Sequence, residues 1–129
     1  MKTIKIYCKK CGCKLTEELI EMPVSNLRWE DNTAIMEKNK YVLFKSETSQ
    51  QDNILTAIDD YYLKNHSDTN RFSGCCGSSG FNSFNKICEN GHEVATEISD
   101  CWTGHYIEFD WNKITVKEKL DDYNYKILK

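Results

Sequence analysis

The chain has 129 residues, a mass of 15.1 kDa, a formal charge of −3 and a sequence pI near 5.6. That length suits one folded unit with its own core, and 40% hydrophobic and 12% aromatic content with a single proline, Pro23, excludes a disordered or low-complexity polymer. A net acidic chain has no overall positive field to hold a phosphate backbone, so nucleic acid is disfavoured as a partner, even though Lys9, Lys10 and Lys14 surround the first cysteines.

The opening MKTIKIYCKKCGCK has neither an apolar core nor a small-residue cleavage site, and no apolar run reaches the roughly 20 residues of a membrane span. These features predict a cytoplasmic protein that does not engage a membrane. Seven cysteines is an odd number, and in a reducing compartment clustered thiols point to metal or redox chemistry rather than to disulfides.

In chain order, TIKIY at 3–7 alternates polar and apolar residues and runs into CKKCGCKL, which predicts a β-hairpin with thiols at its tip. The signal then weakens until KYVLFKS at 40–46, a strand by its β-branched and aromatic content. Residues 52–64, DNILTAIDDYYLK, place Ile54, Leu55, Ile58, Tyr61 and Tyr62 at helical spacing with Ser49 or Asp52 as a cap, and predict the main helix. The Gly-, Ser- and Asn-rich stretch from residue 65 reads as irregular loop, held to the body by Phe72, Phe81 and Phe84. EVATEIS, HYIEFDW and KITVKEK then predict three strands in a closing antiparallel meander.

A structural zinc ion takes four Cys or His ligands tetrahedrally, commonly as two close pairs, because a short turn can aim two side chains at one point. Cys8-Lys-Lys-Cys11 is one such pair, followed by Gly12, which permits the positive φ that ends the turn. Cys88-Glu-Asn-Gly-His92 is the best second pair, the longer imidazole arm reaching where a thiolate would sit. The cysteine turn thus occurs twice in modified form. Cys13, Cys75, Cys76 and Cys101 form an alternative set of donors, ranked lower because the adjacent Cys75 and Cys76 are poorly placed to aim at one ion.

The segments YCKKCGCKL and ICENGHEVA resemble the facing knuckles of a zinc ribbon, with His92 in place of the last cysteine. The wider pattern of C-x2-C, GCCG, C, DCW and H is also similar to small, uncharacterised bacterial zinc-binding proteins, a likeness that implies zinc and no activity. The expectation is a single α+β domain over 1–129, with a mostly antiparallel sheet and one main helix. Zinc-ribbon-like halves at about 3–17 and 86–99 flank a long insertion and clamp the N- and C-terminal parts together. With all four positions filled by Cys8, Cys11, Cys88 and His92, the zinc is expected to be structural and the protein a non-enzymatic binding or interaction protein, its protein partner unspecified.

Two other readings use other residues. A cysteine-dependent enzyme would employ Cys101 or Cys75 as nucleophile with His105 as base, although Asp100 in SDCWTGHY is better suited to capping a turn. The size and acidity also resemble those of immunity proteins that neutralise a toxin.

Overall fold

The computed structural model describes residues 2–44, 52–58, 61–74, 77–78 and 84–128. Among the described residues ten strands form one sheet: β1 Thr3–Cys8, β2 Leu19–Glu21, β3 Lys40–Phe44, β4 Asn53–Thr56, β5 Lys64–Asn65, β6 Lys86–Ile87, β7 Glu93–Ile98, β8 Tyr106–Phe109, β9 Ile114–Lys119 and β10 Tyr125–Ile127. Their spatial order is β10-β9-β1-β2-β3-β4-β8-β7-β6-β5. The β2–β3 pairing is parallel and the others are antiparallel.

The architecture corrects the α+β expectation. The only helical elements among the described residues are two single 3-10 turns, Val24–Asn26 and Thr69–Phe72. Among the described residues the main helix expected over 52–64 is instead β4, a turn at Tyr61 and Tyr62, and the start of the short edge strand β5; Tyr61 has a φ of +34°, outside any right-handed helix. The misreading has a physical cause. Ile54 and Leu55 are both fully buried although they lie on opposite faces of the strand, Ile54 in the inner core and Leu55 in a second apolar layer. A strand covered on both faces shows a continuous apolar run, which periodicity cannot distinguish from a buried helix.

Strands lie within the segments at 3–7, 40–46, 93–99, 105–111 and 113–119 that the sequence predicts. In β1, Ile4, Ile6 and Cys8 point into the core at 1%, 0% and 1% exposure. The outward face carries Lys5 over the Tyr125 ring at 5.0 Å and Lys117 over Tyr7 at 4.7 Å. The expected closing meander is interrupted. β7 and β8 pair, but β8 then pairs with β4, while β9 crosses over to lie between β1 and β10. The return limb of the first hairpin is also less regular than expected: it touches β1 through a Tyr7–Lys14 bridge before β2 begins.

Five steps separate β1 from β7 in the sheet order, which in a flat sheet would put them about 24 Å apart at the usual strand spacing. The inner core instead joins Ile4, Ile6 and Cys8 of β1 to Val94 and Ala95 of β7 and to Ile107, Phe109, Ile114 and Val116. The sheet therefore curls around one apolar interior. On its outside, Leu27, Ile35 and Met36 cover Val42 and Leu55 as the second layer. Curling brings the turn after β1 and the turn between β6 and β7 face to face.

Candidate metal centre

Both turns close with the same pair of backbone bonds, the first over one residue more than the second. In the first, the Cys8 N–H donates to the Cys13 carbonyl at 2.9 Å and the Gly12 N–H donates to the Cys8 carbonyl at 2.8 Å. In the second, the Cys88 N–H donates to the His92 carbonyl and the Gly91 N–H to the Cys88 carbonyl, both at 2.9 Å. Gly12 and Gly91 have φ of +74° and +87°, a conformation costly for any residue with a Cβ. Each glycine lets the chain reverse tightly enough to return side chains toward the strand it has just left. The first turn is held from outside by a bond from the Lys9 N–H to the Lys113 carbonyl. Beside the second, Glu93 accepts from Arg71 at 2.7 Å and contacts His66 at 3.1 Å.

The structure brings together the four residues predicted from the spacing. The sulfurs of Cys8, Cys11 and Cys88 and a ring nitrogen of His92 lie within 4.8 Å of one another. Cys11 Sγ is 3.8 Å from Cys88 Sγ, and His92 Nδ1 is 3.6 Å from Cys8 Sγ and 3.4 Å from Cys88 Sγ. Cys8 and Cys88 are buried, His92 is half-buried and Cys11 is exposed.

The electrostatics of the cluster come mainly from burial and backbone amides. Burial pushes the Cys8 thiol up, opposed by the N–H groups of Cys11 and Lys10. The Asn90 side chain, followed by the Cys13 N–H, pulls Cys11 down to about 5. The His92 N–H donates to Cys88 Sγ at 3.4 Å. Amides directed at sulfur stabilise thiolates, the form a metal binds.

Asn90 was not assigned from the sequence, and Cys13 belonged to the lower-ranked donor set. Burial pushes the Cys13 thiol up to about 12, with the side chains of Cys11 and Cys88 adding to the shift, and Cys13 stands outside the four-donor group. Asn90 precedes Gly91 as Cys11 precedes Gly12, and aligning the two glycines in the sequence would have shown that correspondence.

The other candidates lie elsewhere. The His105 Nε2–H donates to the Asp100 carbonyl at 3.1 Å, which commits that ring nitrogen to the backbone. Asp100 Oδ1 accepts from the Cys101 N–H at 2.7 Å, and its carbonyl accepts from the Thr103 N–H at 3.2 Å, so Asp100 shapes the turn. Cys101 is half-buried and stands outside the four-donor group. Cys75, Cys76 and Phe81 lie outside the described residues. Phe84 is half-buried with Lys113 Nζ 5.5 Å from its ring centre. No helix among the described residues is long and apolar enough to cross a membrane.

Compared with protein-family models, with curated proteins and with solved structures, the chain matches none. The chemistry of the donor set is therefore the basis for a functional reading. A cluster of three cysteines and one histidine at this spacing could hold a metal ion.

Proposed function

We propose that the protein is a small zinc-stabilised binding protein, in which Cys8, Cys11, Cys88 and His92 hold one structural ion that fastens the turn after β1 to the turn between β6 and β7. The observation that carries this reading is the spacing of the donor atoms. A tetrahedral zinc with Zn–S near 2.3 Å and Zn–N near 2.0–2.1 Å requires S···S edges of about 3.8 Å and S···N edges of about 3.5 Å. The structure has 3.8 Å for the sulfur pair and 3.6 and 3.4 Å for the two sulfur–nitrogen pairs. A disulfide would need sulfurs about 2.05 Å apart. Three thiols and an imidazole converging at these separations fit an ion placed between them.

The choice of zinc over other ions follows from ligand type. Three thiolates and one imidazole in a tetrahedron suit a borderline-soft d10 ion, whereas calcium and magnesium take oxygen donors at higher coordination. Nδ1 of His92 is the nitrogen that faces the sulfurs, leaving Nε2 to carry the ring proton. With four protein ligands no position remains for a reacting water, which favours a structural over a catalytic ion. Three thiolates around a divalent ion leave a net charge of −1, and the cleft beside Cys8 and His92 is lined by Lys9, Lys10 and Lys113 against one acid, Glu93, which leaves it positive overall. The paired knuckles support a zinc-ribbon-like clamp.

Metal analysis of protein purified without chelator tests the reading. About one zinc per chain is expected, and a metal-free protein would refute it.

A further inference from the structure

Three turns meet beside the candidate centre: the one after β1, the one between β6 and β7, and the one between β8 and β9. The Lys9 N–H donates to the Lys113 carbonyl at 3.1 Å, and Cys8 pairs with Ile114 in the sheet, so the first and third turns are fastened together. The third is closed on itself by bonds from the Lys113 N–H to the Asp110 carbonyl at 3.0 Å and from the Asn112 N–H to Asp110 Oδ1 at 2.8 Å. Between the turns lies a cleft of about 270 Å³. Lys9 and Lys10 line it from the first turn, His92 and Glu93 from the second, and Asn112 and Lys113 from the third.

The charge in this cleft is one-sided. Its acid is already matched, with Glu93 Oε2 2.7 Å from Arg71 Nη1 and 3.1 Å from His66 Nε2. Its lysines are not: among the described residues none of the three ammonium groups pairs with a carboxylate, whereas Lys14, Lys86 and Lys119 elsewhere each do. Like charges gathered in a concave site raise the local potential and draw in an anion. We propose that this cleft is the docking site for an acidic segment of a partner protein, which places adjacent Asp or Glu side chains among Lys9, Lys10 and Lys113. The proposal gives a partner class to the binding role stated above and rests on that role. Size and surroundings select this anion. The cleft is smaller than the roughly 300–1,000 Å³ usual for a whole small ligand, so it suits one or two carboxylate side chains of a chain that continues outside it. A nucleic acid strand needs phosphate contacts along its path and aromatic faces for its bases. No Phe, Tyr or Trp lines the cleft, and Glu89 and Asp110, in the second and third turns, set negative charge beside the lysines.

Fluorescence anisotropy of a labelled hexaglutamate peptide titrated with the full chain, at low and high salt, gives the test. Wild type should bind, and affinity should fall as salt rises. Each cleft lysine replaced by alanine should weaken binding by up to about fivefold, and K9A/K10A/K113A by about tenfold or more, while K9R/K10R/K113R keeps it. The control K2A/K38A/K126A removes three exposed lysines outside the cleft and should bind as wild type does. Equal losses in the cleft and control variants, or no binding by wild type, would overturn the proposal. Citrate bound as tightly as the peptide would overturn it in favour of a small-anion site, and oligothymidylate bound more tightly than the peptide would overturn it in favour of nucleic acid. Should the triple alanine variant fail to fold, K10E against K38E gives the same comparison, both side chains being exposed. Zinc content measured on the same samples separates the two readings. A zinc-loaded chain that ignores the peptide overturns this proposal alone, and a metal-free chain that binds it overturns the zinc reading alone.

Discussion

Gly12 and Gly91 direct the donors. Both have positive φ, and a Cβ built on either meets nothing within 4 Å, so an alanine there carries backbone strain without a steric clash. Replacing either with alanine should cost about 1–2 kcal/mol of stability and weaken metal affinity, measurable by denaturant titration with and without zinc. An unchanged denaturation midpoint would show that the turns relax freely. Protons provide a second test at this scale. Burial raises the Cys8 thiol, so near neutral pH it is protonated in the metal-free protein, and a metal bound there would have to displace that proton. Affinity should therefore increase with pH by about tenfold per unit for each proton displaced. Calorimetry in buffers of different ionisation enthalpy reads that number directly, and a pH-independent affinity would argue against thiolate ligation. The four main donors were legible in the sequence because their geometry is local, two short turns with fixed spacing. The part of Asn90 was not, because it depends on which side chains meet across the interface between turns that lie far apart along the chain.

Strands are where alternation succeeded and where it failed. β1 and the first half of β9 have apolar residues at every second position because one face meets the core, and a period of two could be read from them. β4 has Ile54 and Leu55 buried in separate apolar layers, and no period marks it as a strand. Its placement makes a prediction. Ile54→Ala and Leu55→Ala should each cost about 2–5 kcal/mol, and because the two side chains pack on opposite faces their effects should add to within about 0.5 kcal/mol. A helix would put both on one apolar face, where coupling is expected. Strong non-additivity in equilibrium unfolding would contradict the strand assignment. The sheet order was not legible either: the crossover that inserts β9 between β1 and β10 is set by which edges remain free once the other strands have paired, and local sequence does not encode that.

The whole molecule is a curled sheet whose closure the metal reading explains. β1 and β9 already pair over five residues, from Ile4–Glu118 to Cys8–Ile114, so the N-terminal strand is held without an ion. What the ion would add is the link between this half and the turn before β7. Structural zinc in small peptides supplies on the order of 10 kcal/mol of apparent binding free energy, comparable to the entire stability of a domain of this size. A C88A variant should lose its zinc and about 3 kcal/mol or more of stability, which lowers the melting temperature by about 10 °C. Chelation of the wild-type protein should produce a similar shift, and a metal-free C88A protein melting with the parent would show that the core alone closes the sheet.

The most direct measurement is zinc-edge X-ray absorption on protein purified without chelator. The account predicts one zinc per chain with a first shell of three sulfurs near 2.3 Å and one nitrogen at about 2.0–2.1 Å. An absence of zinc, a shell containing water oxygen, or fewer than three sulfurs would contradict it.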